Sequence, residues 1–260
     1  MKKIIIVTII ICMIMLFTGC NSNESNTQTT ILVAAAASLK NCMDDEIIPL
    51  FSEQNPNIKV NTTYDGSGKL QTQIEEGAQV DVFISAAMKQ MNTLNESDFI
   101  LENSIVELLE NKIVLIVPKG SNNGIYTFQD ILKANTIAIG DPESVPAGQY
   151  AKEVFENINI WEDVLDKASL ASNVNEVLNW VAEGSADAGI VYATDAAGND
   201  RVKISLEAPI GSVSKIIYPI GIVKTSENKD EAKVFTDFLQ SDEAMKIFET
   251  YGFTPMKQEK

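Results

Sequence analysis

The sequence predicts an α/β fold with mostly parallel strand pairing. Two observations carry this. Short apolar runs rich in β-branched residues alternate with amphipathic stretches along most of the chain. About 230 of the 260 residues follow a polar N-terminal stretch, enough for one large or two small domains.

The elements follow in order. "TILVAAAA" (30–37) reads as a strand feeding a helix over about 39–53, and "NIKVNTTY" (57–64) as a strand feeding a helix over about 69–76. "VDVFISAA" (80–87) is a third strand; helical stretches then lead to the apolar strand "NKIVLIVPK" (111–119). "TIAIG" (136–140) is the next strand, with helices at about 148–157 and 161–167 and a short strand within "ASLASN" (168–173). "NEVLNWVAEG" (175–184) has a helical apolar face and stops at Gly184, a common C-terminal signal. "ADAGIVYAT" (186–194) and "KIIYPIGIVK" (215–224) are strands, and 229–252 reads as two helices.

Composition excludes several functions. The chain has 20 Lys+Arg against 36 Asp+Glu, a formal charge of −16, which argues against nucleic-acid binding. It has no histidine, so Ser-His and Cys-His catalysis and histidine-ligated zinc are out. Its single arginine, Arg201, is the sole candidate for a guanidinium grip on an anion.

The N-terminus carries two lysines, an apolar run from Ile4 to Phe17, then Thr18-Gly19-Cys20. This pattern is expected to be a secretory signal over 1–19, and the run is short for a membrane span. The small residues before Cys20 resemble a bacterial lipobox, which implies cleavage before Cys20, lipidation of its thiol and anchoring at the extracytoplasmic face of the cell membrane. Residues 20–30 then form a flexible tether. Cys42 would be the one free thiol of the mature chain, expected to be buried.

Four places share one grammar, a strand or turn running straight into a helix: Ser38 in "AAAASLKN", Ser67 in "DGSGKLQ", Ala147 in "ESVPAGQY", and "SNVNEV", where Asn173 has a capping position and Glu176 the capping-box spacing. Plain capping is the ordinary reading of each serine. Around Ala147 no side-chain oxygen is on offer, so the first-turn amides there lack an obvious partner. Ligands of open α/β sheets bind at the carboxyl ends of strands, where helix starts present N–H groups and positive dipole ends.

The segments "AAAASL", "DGSGKLQTQI", "VDVFISA", "GDPESVPAGQYAKE", "SNVNEVLNWVAEGSADAGIVYATDA" and "IFETYGF", in this order, resemble the molybdate-binding proteins of bacterial ABC-type importers. The resemblance implies a two-lobed periplasmic-binding-protein type II fold, each lobe a mostly parallel sheet flanked by helices. One lobe would comprise 31–114 plus 219–260, the other 115–218, with "NKIVLIVPK" and "KIIYPIGIVK" as crossover strands. It also implies an oxyanion site made by the hydroxyls of Ser38, Ser67 and Tyr192 and the backbone N–H groups at Ala147 and Val174. Gly66 and Gly68 depart from the serine-rich turn frequent in the family. Molybdate or tungstate is the implied ligand, with ABC permease subunits as partners; no cofactor, no cation ligands, no enzymatic activity and a monomeric state are expected. Sulfate or another tetrahedral oxyanion on the same fold stays open. An enzyme using Asp81 or Asp195 as a base is the rival of another class, although both carboxylates read first as acceptors of backbone N–H bonds. No loop has calcium-site spacing, and Trp161 and Trp180 fit helix packing.

Overall fold

A computed structural model describes residues 28–122 and 124–256. The signal stretch, Cys20 and most of the tether lie outside the described residues. The chain builds one sheet, crosses to a second, and returns. The first sheet begins with β1 (Thr29–Ala36), β2 (Ile58–Asp65), β3 (Val82–Ile84) and β4 (Val106–Asn111). The second takes β5 (Ile113–Pro118), β6 (Ile137–Gly140), β7 (Ala168–Ala171), β8 (Ala188–Tyr192) and β9 (Val202–Glu207). β10 (Ile216–Ile222) and β11 (Thr254–Pro255) rejoin the first. Strand orders are β11-β4-β10-β3-β1-β2 and β7-β6-β8-β5-β9.

Both sheets are mixed. β1 pairs parallel with β2 and β3, and β6 with β7 and β8. The strands next to the crossings run antiparallel: β10 against β3 and β4, β5 against β8 and β9. A strand that enters a sheet from the other lobe arrives without a βαβ crossover, so antiparallel pairing is open to it. The change of sheet falls at Lys112, between β4 and β5, and between Glu207 and Ile216.

Several elements differ from expectation. Val106–Asn111, within the expected helical stretches, is strand β4. Val106, Leu108 and Leu109 satisfy a helical spacing as well as a buried strand, and pairing with β10 and β11 decides. Strand β9, a 3₁₀ segment Phe128–Lys133 and a short helix Ala193–Ala197 are elements that the sequence pattern does not predict. The first helix is interrupted: a 3₁₀ turn Ala37–Leu39, one α-turn Lys40–Cys42, a π segment Met43–Ile47, then α1 (Ile48–Gln54). Pro49 has no N–H for the carbonyl of Asp45, so the turn before it widens.

Helices α2 (Ser67–Glu75) and α3 (Met88–Glu96) cover one face of the first sheet, packing Leu70, Ile74, Met91 and Leu94 around Phe83. On the other face Phe51 of α1 meets Phe235 and Phe238 of α8 (Lys229–Leu239) edge to face, with centroids 5.0 and 5.2 Å apart. α9 (Asp242–Thr250) follows. The second sheet carries α4 (Pro146–Asn157), α5 (Trp161–Leu165) and α6 (Val174–Ala182). Trp161 and Trp180 pack partly buried against the core, as helix packing requires. Cys42 is buried, donates to the Leu39 carbonyl, and burial pushes its thiol up to about 12. A thiol held protonated in this way is inert.

Asp81, one of the two candidate bases, is structural. Its carboxylate takes the backbone N–H of Leu32 at 2.7 Å, the hydroxyl of Ser226 at 2.6 Å and the amide of Asn228 at 3.2 Å. It thereby ties the start of β3 to β1 and to the chain leaving β10. Asp81→Ala strands these donors, and the expected loss of stability is about 3 kcal/mol, read by urea denaturation. A loss below about 1 kcal/mol would show that water replaces the carboxylate there.

Candidate functional site

The four strand-to-helix junctions converge. The 3₁₀ turn after β1, the start of α2 after β2, the start of α4 and the start of α6 meet at one small cavity between the sheets. Its volume is about 10 Å³, and Ala37, Ser38, Ser67, Ala147, Val174 and Tyr192 contribute to its wall. All five residues singled out in the sequence therefore lie around one space.

The helix starts there are poorly capped by side chains. The 3₁₀ turn, α2 and α4 have Ala36, Gly66 and Val145 at their N-caps, and none receives a side-chain capping bond. α4 begins at Pro146, two residues earlier than expected. Proline at the first position has no N–H, and the Gly148 N–H bonds to the Val145 carbonyl at 2.9 Å. The Ala147 N–H between them has no carbonyl one turn earlier and faces the cavity end of the helix. Gly148 is required by the close approach of this turn to β6, since a Cβ there would lie 2.0 Å from the Gly140 oxygen. At α6, Asn173 accepts the Glu176 N–H at 3.1 Å, as its spacing predicts. The Glu176 carboxylate reaches the Ser172 N–H at 2.7 Å instead of completing a capping box on Asn173. The Val174 N–H is left at the cavity.

Neither serine is a plain N-cap. Ser67 is the first residue of α2, fully buried, and its oxygen accepts the backbone N–H of Ala86 at 3.0 Å. Its own proton is free to be donated into the cavity. Ser38 is half-buried and its oxygen lies 2.9 Å from the hydroxyl of Tyr218. Tyr192 ends β8 at 1% exposure, and its hydroxyl has no hydrogen-bond partner among the described residues. A buried phenol without a partner is costly and marks a place where a ligand atom is expected. Burial raises the pKa of Tyr192 and of Tyr218 well above the ordinary phenol value, so both stay neutral.

Among the described residues no cationic side chain lines the cavity. Asp65 does, but its carboxylate is held by Lys69 at 2.5 Å and by the Gly66 N–H at 2.9 Å. The walls touch directly across the cleft: Gly68 N–H to the Ser144 carbonyl at 2.8 Å, Asn175 amide to the Ala37 carbonyl at 2.9 Å, and Gln90 amide to the Gln149 side-chain oxygen at 3.2 Å. Among the described residues no cluster of three His, Cys, Asp or Glu is placed to hold a metal cation.

Asp195, the other candidate base, accepts the Tyr192 N–H at 3.2 Å from the first turn of the short helix α7 (Ala193–Ala197). Sequence reasoning missed Tyr218 and Asn111, which stand behind Ser38. No local pattern announces them, because they are separated from Ser38 and from each other by most of a lobe.

Two α/β lobes closing on a small donor-lined cavity define a binding protein of the cleft type. A family model described as bacterial extracellular solute-binding protein matches residues 31–254, and the chain belongs to that family. YvgL of Bacillus subtilis (strain 168), provisionally named an ABC transporter substrate-binding lipoprotein, is 41% identical over 92% of this chain and 94% of its own length. The molybdate-binding protein ModA of Haemophilus influenzae is 35% identical over 86% of this chain and 89% of its own. A solved substrate-binding domain of a provisionally named molybdenum ABC transporter from Clostridium difficile superposes with a TM-score of 0.67 at 39% identity, covering 88% of this chain and 100% of that one. The chain is thus a relative of ModA-type binding proteins and of proteins named as substrate-binding parts of ABC transporters.

Burial pushes the Asp195 carboxyl from 3.8 up to about 7, with the Tyr192 N–H pulling the other way. Between about pH 4 and 7 the folded protein therefore holds a proton that the unfolded chain has lost. This contribution makes stability fall as pH rises through that window, and the penalty stays constant above it. Asp195→Asn removes the fall: its stability relative to the parent should improve by about 1.4 kcal/mol per pH unit from pH 4 to 7 in urea titrations. Parallel pH profiles for the two proteins would place the carboxyl in an ordinary environment.

Proposed function

We propose that this protein is an extracytoplasmic solute-binding lipoprotein, anchored through Cys20, that captures molybdate or tungstate and delivers it as a monomer to the permease of an ABC transporter. The observation that carries the reading is the unpartnered, buried Tyr192 hydroxyl at a cavity ringed by helix starts, three of which have no side-chain cap. In this reading the hydroxyls of Ser38, Ser67 and Tyr192 and the N–H groups at Ala147 and Val174 hold the ion.

The chemistry suits a fully ionised tetrahedral dianion. Such an ion only accepts hydrogen bonds, and the cavity offers donors. Each charge-assisted bond contributes roughly 1.5–3 kcal/mol, reduced in sum by the water the ion gives up. Helix starts add fixed positive ends that need no rearrangement on binding. The names of the ModA relatives support molybdate over other oxyanions of the same shape.

Calorimetric titration with molybdate, tungstate, sulfate and phosphate tests the reading. One-to-one binding of molybdate and tungstate, with sulfate and phosphate much weaker, is expected. Preferential binding of sulfate would move the protein to the alternative ligand on the same fold, and binding of none would reopen the ligand class. Tyr192→Phe should weaken molybdate by roughly 1.5–3 kcal/mol without lowering the melting temperature of the ligand-free protein, because the hydroxyl has no protein partner to lose. Equal affinity in the variant would remove Tyr192 from the contacts.

Gly68→Ala tests lobe closure. An added Cβ would lie 2.5 Å from the Ser144 oxygen across the cleft, while alanine suits the helix itself. Affinity for every bound oxyanion should drop at least about tenfold with their ranking preserved. Undiminished affinity would mean that the closed contact at Gly68 is not needed for binding.

A further inference from the structure

Two glutamines meet across the cleft, and each belongs to a segment that carries part of the site. Gln90 stands in the first turn of α3, whose N-cap is Ala87. The residue before that cap, Ala86, gives its N–H to Ser67 Oγ at 3.0 Å. Ser85 stiffens this segment, its hydroxyl donating to the Ala87 carbonyl at 2.8 Å and accepting the Ala87 N–H at 3.1 Å. Gln149 stands in α4, two residues beyond Ala147, in the turn that Gly148 seats on β6. The Gln90 amide donates to the Gln149 side-chain oxygen at 3.2 Å. Of the three bonds named between the walls, this one alone joins two side chains. Gln90 borders the same groove as Gly68 and Ser144, so the pair stands beside the backbone seal.

We propose that Gln90 and Gln149 are positioning residues whose bond is a latch, made as an oxyanion draws the two walls together and broken as the ion leaves. The proposal rests on the oxyanion reading of the cavity and deepens it. An ion held through Ser67 on one wall and the Ala147 N–H on the other orders the same two segments that carry the amides. The amides then meet at little further cost in freedom. In this reading the ion enters and leaves with the walls apart, so the latch bears on the dissociation rate and leaves the association rate alone. The latch is also incomplete. Gln90 is 2% exposed, and its remaining oxygen and the remaining Gln149 nitrogen are buried without a partner among the described residues. Buried amide groups left unpaired oppose closure, and the one bond between them offsets part of that cost. The pair thus holds the closed form together while keeping it less favourable than apolar packing of the same shape.

Methionine tests the latch, since it keeps the length of the glutamine side chain and removes the amide. The parent, Gln90→Met, Gln149→Met and the double variant are compared by stopped-flow kinetics with molybdate, and the melting temperatures of the ligand-free proteins are recorded. In each single variant the surviving amide loses its partner and is still buried on closure. Molybdate should therefore leave at least about fivefold faster, at an unchanged association rate. In the double variant no amide is stranded, and release should return to the parent rate or fall below it. Single variants that release at the parent rate, or single effects that multiply in the double variant, would overturn the latch. So would affinity lost through slower association together with a lower melting temperature of the ligand-free protein, which is the signature of a merely structural role. Failure of the parent to bind molybdate would instead remove the oxyanion reading, and the latch with it.

Discussion

Two stretches of backbone touch across the cleft, and the rest of the site depends on that contact. The turn at Gly66–Gly68 lies against Ser144 and Ser172 of the other lobe so closely that a Cβ at either glycine would come within 2.8 Å of an opposing carbonyl oxygen. Only with this approach do the start of α2 and the start of α4 face the same few cubic ångströms. A serine-rich turn would place side chains where the carbonyl of Ser144 now sits. The glycines that looked like a departure from the family pattern are the condition for a tight seal here. The seal has its own bond, Gly68 N–H to Ser144 carbonyl, so part of the closed form is held by protein alone. An ion that bridges Ser38 and Ser67 on one side and Ala147, Val174 and Tyr192 on the other would add its bonds to those that the two walls make directly.

The second constraint is charge. A chain of −16 with one arginine must stabilise a dianion, if it binds one, without a guanidinium fork. Neutral donors accomplish this when they are fixed and dry. A backbone N–H at a helix start cannot turn away, and its partial charge acts in a medium less polarisable than water. The acidic wall residue Asp65 would oppose the ion, yet Lys69 and the Gly66 N–H hold its carboxylate. The unfavourable field of the acidic surface is screened within about 8 Å at physiological salt, so it acts on approach more than on the bound state.

Much of this was legible in the sequence, and the part that was not has a physical reason. Ser38, Ser67, Ala147 and Val174 each belong to a local pattern in which a strand or turn runs into a helix, so their gathering at the carboxyl ends of strands follows from the fold class. Tyr192 has no such local pattern: at the end of an apolar strand it reads as a buried aromatic, and only the family resemblance assigns it to the site. The missed strand Val106–Asn111 has a spacing that serves helix and strand equally, and only its neighbours β10 and β11 resolve it. Strand β9 keeps two exposed lysine and isoleucine positions and no clean alternation. Tyr218 and Asn111 were invisible for a different cause: their contact spans 107 positions and that of Tyr218 with Ser38 spans 180. No sequence window holds such a relation.

These distant contacts also explain why the crossing between sheets is polar where it could have been apolar. Asn111 is the last residue of β4, 5% exposed, and every hydrogen-bonding group of its side chain is engaged. A leucine there would pack, but it would leave Tyr218 without its donor and Thr194 without its link to the first lobe. A buried amide costs desolvation and returns it only when all partners are present. Those partners come from Lys112 at the crossing, from β10 and from α7, which meet the end of β4 only in the correctly assembled two-lobe arrangement. The amide at the crossing therefore ties the geometry of the crossing to Tyr218, the residue that stands behind Ser38.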